Sequence, residues 1–217
     1  MFGKIILISA FFNKIMAKVK VLIKGLINLE EMRAWPSSAL IIDNEKIIIT
    51  DPGTVKSQKV ITDALEKEGL TVNDITHVFI THSHLDHYRN IGMFPEAISI
   101  DMWGEWIADK FNPKEWPSKF DETNFGSFSD SIHVIKTPGH DESNLTFFVK
   151  GTSKFKGNEI SGMIAVCGDV FWKKDFPKLE EEPFATDKKN LQKSRTLVLK
   201  NADYIIPGHD DIFKVEK

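Results

Sequence analysis

The chain has 217 residues, enough for one domain with a large core and short of two ordinary domains. Hydrophobic residues at 41% and charged residues at 27% exclude a disordered chain. The net charge of −3, with Lys and Arg spread along the sequence, offers no basic stripe for nucleic-acid binding, although an enzyme could still touch a phosphodiester at metals alone.

Residues 5–12 form an apolar run behind Lys4, too short to span a membrane and not followed by a signal-peptidase site. Residues 1–15 are therefore read as an N-terminal extension or an upstream start artefact, and the domain as 16–217, in a cytoplasmic protein with no membrane partner. Val19, Val21 and Ile23 alternate with polar positions, which predicts a first strand over 18–24. Two apolar runs, 39–43 and 46–50, flank Asn44-Glu45 and predict a hairpin. Asp51-Pro52-Gly53 breaks the sheet. Val60, Ile61, Leu65 and Leu70 have helical spacing from 57 to 68, with Gly69 as the stop. Strands are expected at 76–81, 97–101 and 131–136, then at 145–149 and 163–167 with 150–157 as a polar loop between them. Leu191, Ser194, Leu197 and Val198 mark a helix over 187–199, and 203–206 reads as a last buried strand. Strands with a helix, followed by strands with a helix, suggest two sheets packed face to face with helices outside, a four-layer α/β arrangement. The single cysteine, Cys167, excludes an internal disulfide, fits a reducing compartment and reads as a small buried strand residue.

The chemistry concentrates in Thr81-His82-Ser83-His84-Leu85-Asp86-His87, which follows an apolar strand directly. In extended chain His82 and His84 share one face, and a helix beginning beyond Leu85 would bring Asp86 and His87 round to the same point. Imidazole and carboxylate are the ligands Zn²⁺ accepts where thiolates are absent. Three later strands also end on a ligand-type residue in a glycine turn, at Pro138-Gly139-His140, Gly168-Asp169 and Pro207-Gly208-His209. A single histidine of this kind is usually a hydrogen-bonded turn residue. Five of the seven so placed, with two aspartates, point to metal binding. His77 and His133, inside or at the start of strands, read as structural.

The run His82-x-His84-x-Asp86-His87, with Thr137-Pro138-Gly139-His140, Gly168-Asp169 and Pro207-Gly208-His209, resembles the metallo-β-lactamase superfamily from about residue 18 to 214. Asp51-Pro52-Gly53-Thr54 is similar to the early D-x-G turn of that family. The resemblance implies the αββα sandwich, an α/β fold that agrees with the four layers above. It implies that His82, His84 and His140 hold one metal, that Asp86, His87 and His209 hold a second, and that Asp169 bridges them. Asp51 would orient a ligand histidine by accepting its other ring N–H. The expected cofactors are two Zn²⁺ ions, with iron or manganese as alternatives. Within the family, Gly168-Asp169-Val170-Phe171, the Ser194-Arg195 helix and Pro207-Gly208-His209 are similar to the single-domain branch of metallo-β-lactamase domain-containing protein 1. Where many relatives continue D-H-x-G-N, this chain has Asp86-His87-Tyr88-Arg89-Asn90, with Arg89 in place of the glycine.

The activity implied is hydrolysis by a metal-bridging hydroxide, with one metal polarising the substrate and Asp86 as a candidate proton donor to the leaving group. The substrate expected is a small ester, lactone, thioester or amide. The alternatives are a phosphodiesterase or ribonuclease on the same metals, a di-iron oxidoreductase, and a non-catalytic metal-binding domain, against which the complete ligand set argues. Tyr88 is a candidate hydrogen-bond donor to substrate. The segment 101–128, with Trp103, Trp106, Phe111, Trp116, Phe120 and Phe125, is expected to wall the site, and Phe171 and Trp172 to form the opposite side. The competing expectation is an insertion whose aromatics form their own core. The partner expected is a small molecule. Nucleic acid has no support from charge, and a homodimer is an open option.

Overall fold

Alternation within the strands sorts the apolar side chains into three seams, and the seams define the layers. A computed structural model describes residues 16–119 and 128–217. The first-half strands are β1 (Ala17–Ile23), β2 (Leu26–Asn28), β3 (Arg33–Trp35), β4 (Ser38–Asp43), β5 (Lys46–Thr50), β6 (His77–Phe79), β7 (Ile98–Asp101), β8 (Gly104–Ile107) and β9 (Lys110–Pro113). The second half adds β10 (Ile132–Lys136), β11 (Leu145–Phe155), β12 (Asn158–Val166), β13 (Tyr204–Ile206) and β14 (Phe213–Lys214). The helices are α1 (Lys59–Glu66), α2 (Leu85–Tyr88) and α3 (Lys188–Asn201).

Ile41, Ile48, Phe79 and Ile100 of the first half meet Val134, Phe147, Ile164 and Ile206 of the second in one buried cluster. Phe79 and Phe147 stack across it with ring centroids 4.3 Å apart, a pair worth ~0.5–1.5 kcal/mol beyond its buried area. Their strand neighbours point the other way, as period-two geometry requires. Leu40, Ile49 and Val78 pack on Ile61 and Leu65 of α1, while Phe148, Ala165 and Ile205 pack on Leu191 and Val198 of α3. Helix, sheet, sheet, helix is the αββα sandwich expected from the sequence.

The hydrogen-bonded path runs β14-β13-β12-β11-β1-β4-β5-β6-β7-β8-β9, with β10 on the side of β11. The halves join where β1 lies parallel to β11, at Ala17 with Gly151 and Lys18 with Thr152. A Cβ on Gly151 would sit 2.4 Å from the Ala17 carbonyl oxygen, so only glycine lets the strands meet. This corrects the expected polar loop at 150–157. β11 and β12 pair without interruption from Phe147 with Val166 to Phe155 with Asn158, and only Lys156-Gly157 turns. Lys150 and Lys154 face outward from a long hairpin in which Ser153 is buried.

The aromatic segment is also different from the expectation. β8 and β9 form a hairpin at the sheet's edge, on which Trp106 and Phe111 stack at 4.3 Å. Trp116 joins the central core and donates from Nε1 to the Asp101 carbonyl. Trp106 and Phe111 therefore pack on each other and Trp116 packs inward. Phe120 and Phe125, like residues 1–15, lie outside the described residues. Among the described residues no helix is long and apolar enough to cross a membrane.

Candidate metal centre

Every ligand-type residue singled out from the sequence sits just past the end of a central strand or in the loop that follows, on one rim of the sandwich. β6 runs into Thr81-His82, after which His84 remains extended (φ −82°, ψ 135°) and caps α2. The four-residue α2 then turns Asp86 and His87 inward. His140 follows β10, Asp169 follows β12 and His209 follows β13. All but His84 and Asp86 are buried.

The side chains converge in two groups. His82 Nε2 and His140 Nε2 lie 3.1 and 3.0 Å from His84 Nδ1. In the other, the Asp86 carboxylate lies 3.7 Å from His87 Nε2 and 3.6 Å from His209 Nε2. Asp169 stands between them, with Oδ1 3.3 Å from His87 Nε2 and Oδ2 3.3 and 3.4 Å from His209 and His140 Nε2. Within each group the atoms fall inside 4.8 Å of one another.

The opposite edges of the rings explain their orientation. Asp51 accepts from the Thr81 amide at 2.8 Å, from the Thr81 hydroxyl at 2.7 Å and from His87 Nδ1 at 2.9 Å. With its proton given to Asp51, the Thr81 hydroxyl is left to accept from His82 Nδ1, 3.1 Å away. His209 Nδ1 donates to the Trp35 carbonyl at 3.0 Å. Each of these contacts turns an Nε2 lone pair into the cluster.

These donors fit a cation. Several imidazole lone pairs facing one another cannot satisfy each other with single protons, and His87 Nε2 and Asp169 Oδ1 are buried without a hydrogen-bond partner. Burial opposes charge on His87, yet Asp169 and Asp51 outweigh it and hold its pKa well above the ordinary histidine value. His209 is raised by Asp169 against the same burial. Asp169, also opposed by burial, is held well below the usual carboxylate range by His209 and His87. Burial and then the charge of His87 keep His82 neutral. The field of the site thus favours positive charge beside Asp169 and neutral imidazole at His82.

A cavity of about 410 Å³ opens onto the cluster. Its walls are Ile27, Leu29, Met32, Arg33 and Ala34 of the β2–β3 hairpin, Leu85, Trp172 and Phe184, and its floor includes His84, Asp86, His140, Asp169 and His209. Trp172 stacks on Phe184 at 5.8 Å. Trp172 lines the cavity as expected, whereas none of residues 101–119 does, and Phe120 and Phe125 lie outside the described residues. Tyr88 and Trp106 line a separate cavity with Asp101, and Trp103 is 63% exposed. Phe171 does not line the cavity either, because it packs in the α3 seam against Arg195 and Phe213. Arg89, the departure from the usual glycine, simply ends α2 with helical dihedrals. His77 and His133 lie in β6 and β10, away from the cluster.

The sequence reading missed the β2–β3 hairpin and Glu182. Three-residue strands around a charged turn give little period, although apolar Leu26-Ile27 and Ala34-Trp35 bracketing Glu30–Arg33 was an available sign. Glu182 is one of three consecutive glutamates, and its side chain alone of the three is completely buried.

The metallo-β-lactamase superfamily model matches residues 32–152, which hold both motif turns of the first half and His140. The chain is 30% identical to metallo-β-lactamase domain-containing protein 1 of Xenopus laevis over 83% of this chain and 73% of that protein. It spans 59–63% of the mammalian proteins of that name. Among solved structures, a candidate metallo-β-lactamase from Thermotoga maritima matches with a TM-score of 0.63 at 19% identity, over 92% of this chain and 99% of the other. An N-acyl homoserine lactone hydrolase with its product at the catalytic metal centre matches with a TM-score of 0.59 at 15% identity, over 90% and 93%. The chain belongs to the metallo-β-lactamase superfamily of enzymes, in the branch of metallo-β-lactamase domain-containing protein 1.

Proposed function

We propose that this chain is a binuclear metal-dependent hydrolase of a small acyl substrate, an ester, lactone, thioester or amide. The observation that carries the proposal is the position of Asp169, one carboxylate oxygen toward His87 and the other toward His140 and His209, beneath a mostly apolar cavity. His82, His84 and His140 would hold one ion, Asp86, His87 and His209 the other, and Asp169 would touch both. Bound there, a zinc pair supplies Lewis acidity for the acyl oxygen and lowers the pKa of water to near neutrality.

The protein's own groups do the rest. Thr81, Asp51 and the Trp35 carbonyl fix ring tautomers, so the site is preorganised. Trp172, Phe184, Leu29 and Met32 give an acyl chain an apolar wall and exclude water from the reacting carbonyl. Asp86, 30% exposed at the cavity floor, is placed to pass a proton to a leaving alkoxide, thiolate or amine. Among the described residues the lining carries one Lys or Arg side chain, Arg33, itself paired with Glu31 at 3.2 Å. A long polyanion would require grouped cations, so the acyl reading is favoured over the ribonuclease reading.

The test is a panel of lactones, thioesters, p-nitrophenyl esters, a β-lactam, bis-p-nitrophenyl phosphate and single-stranded RNA on protein loaded with zinc, iron or manganese. The expected result is turnover of one of the carboxylic substrates, abolished by chelation. Preferential cleavage of RNA or the phosphodiester overturns the acyl assignment.

A further inference from the structure

His140, like His87 with Asp51, has a buried carboxylate behind its ring. Its Nδ1 faces a side chain from a distant segment, where Glu182 Oε1 lies 3.5 Å away. Glu182 follows a short turn at Leu179–Glu181, and its side chain has no exposed surface. Its second oxygen lies 3.8 Å from Nη2 of Arg195, whose Nε donates to the Val170 carbonyl at 2.9 Å and whose guanidinium lies over Phe171. His140 Nδ1, Glu182 Oε2 and Arg195 Nη2 are all buried without a hydrogen-bond partner. Three such atoms in a row, donor facing carboxylate facing donor, form a chain that a small inward movement would close.

The surroundings hold the row in place. Thr186 N–H donates to the His140 carbonyl at 3.1 Å and Asp187 N–H to the Gly139 carbonyl at 2.9 Å, so the segment carrying Glu182 lies along the His140 turn. Ser194, next to Arg195 on α3, donates from Oγ to the Pro138 carbonyl at 2.7 Å. A buried carboxylate is costly unless paired, and here its neighbours are Arg195 and an imidazole N–H.

We infer that Glu182 is a positioning residue for His140: it accepts the Nδ1–H, with Arg195 neutralising it from behind, and so presents the Nε2 lone pair to the group formed with His82 and His84. The inference rests on the proposed metal centre and adds an anchor to one half of it. Phe184, two residues on, lines the substrate cavity and donates its amide to Glu182 Oε1 at 3.3 Å, so one short segment carries both the anchor and the wall.

The experiment is zinc binding by competition with a chromophoric chelator, with circular dichroism to verify folding. Glu182→Ala is expected to weaken one of two zinc equivalents by ~10–100-fold. Glu182→Gln keeps a carbonyl oxygen for Nδ1–H and is expected to restore most of the loss. Because Glu182→Ala strands the Arg195 charge, the double change Glu182→Ala with Arg195→Met is measured beside it and is expected to show the same loss. Repeating the measurement in a His209→Ala background, which removes a ligand of the other group, assigns the weakened equivalent to His140. Wild-type affinity in folded Glu182→Ala or in the double variant overturns the positioning role, as does Glu182→Gln binding no better than Glu182→Ala. Wild-type protein that takes up no zinc, iron or manganese overturns the metal centre itself and this inference with it, and that failure is visible before any variant is made.

Discussion

Asp51→Asn is a sharp perturbation of the site because it changes one atom's role and almost nothing else. Asp51 has a left-handed backbone (φ 43°), a conformation that asparagine adopts as readily as aspartate. Its Oδ1 faces the Thr81 amide N–H at 2.8 Å, so that position must remain an oxygen. The new NH₂ then occupies the place of Oδ2, facing the Thr81 hydroxyl and His87 Nδ1. The hydroxyl can rotate and accept. His87 Nδ1 can accept only by moving its proton to Nε2, the atom that points at Asp86 and Asp169 and would otherwise ligate. Losing a charge-assisted hydrogen bond removes ~1.5–3 kcal/mol from the ligating tautomer, which corresponds to ~10–100-fold in affinity for the ion held by Asp86, His87 and His209. Chelator competition reads this directly, and kcat/KM on the substrate found in the panel should fall by at least a comparable factor. The group formed by His82, His84 and His140 should lose less, through the Thr81 hydroxyl that His82 Nδ1 shares with Asp51. Two zinc equivalents bound with wild-type affinity in folded Asp51→Asn would refute the tautomer argument.

A Cβ on Gly208 would lie 1.8 Å from Asp169 Oδ1, so Gly208→Ala should push the carboxylate off its central position and lower kcat by ~10²-fold; an active, metal-replete alanine variant would count against Asp169 as the shared group. Phe184→Ala removes the ring stacked on Trp172 and should raise KM for long-chain acyl substrates relative to short ones, whereas an equal change for both would remove Phe184 from the substrate wall. His77, lowered to about 4 by burial and then by Lys46, stays neutral in the fold. Its folded value lies below the unfolded one, so stability is full above pH 6.5 and declines as pH falls toward 4. His77→Gln should therefore flatten the acid limb of thermal stability between those values, and an unchanged limb would place the titration elsewhere.

What was legible in the sequence was what a local pattern encodes. Alternation along the chain separates Ile41 from Leu40, Ile48 from Ile49 and Phe147 from Phe148, and each pair divides between the central seam and one of the two outer ones. Histidines in glycine turns after apolar strands mark the rim because β10, β12 and β13 run the same way, so the turns that follow them open on one side, where a loop can turn inward. What was not legible depends on contacts distant in sequence. Gly151 looks like a breaker until β1 is brought against it. Trp106 and Phe111 look like part of a wall until β8 and β9 pair and carry them to the sheet's edge.

The walls of the cavity make the same point more strongly. They come from Leu29 and Met32 on a hairpin with three-residue strands, and from Trp172 and Phe184 in irregular chain. Trp172 was legible from its place after Asp169, but the others lie in segments without the length or period that would announce them. The ligands are fixed by the requirements of a metal, which few residue types meet, whereas many apolar residues can form a wall. The ligand set is therefore marked by motifs while most of the wall is not, and specificity within this branch should be sought in the β2–β3 hairpin and the stretch from Trp172 to Phe184. Exchanging residues 29–32 between this chain and a relative tests the point, because it should change the preferred acyl group and leave zinc stoichiometry at the value of the parent. A stoichiometry that moved with the exchange would show that wall and ligands are not separable.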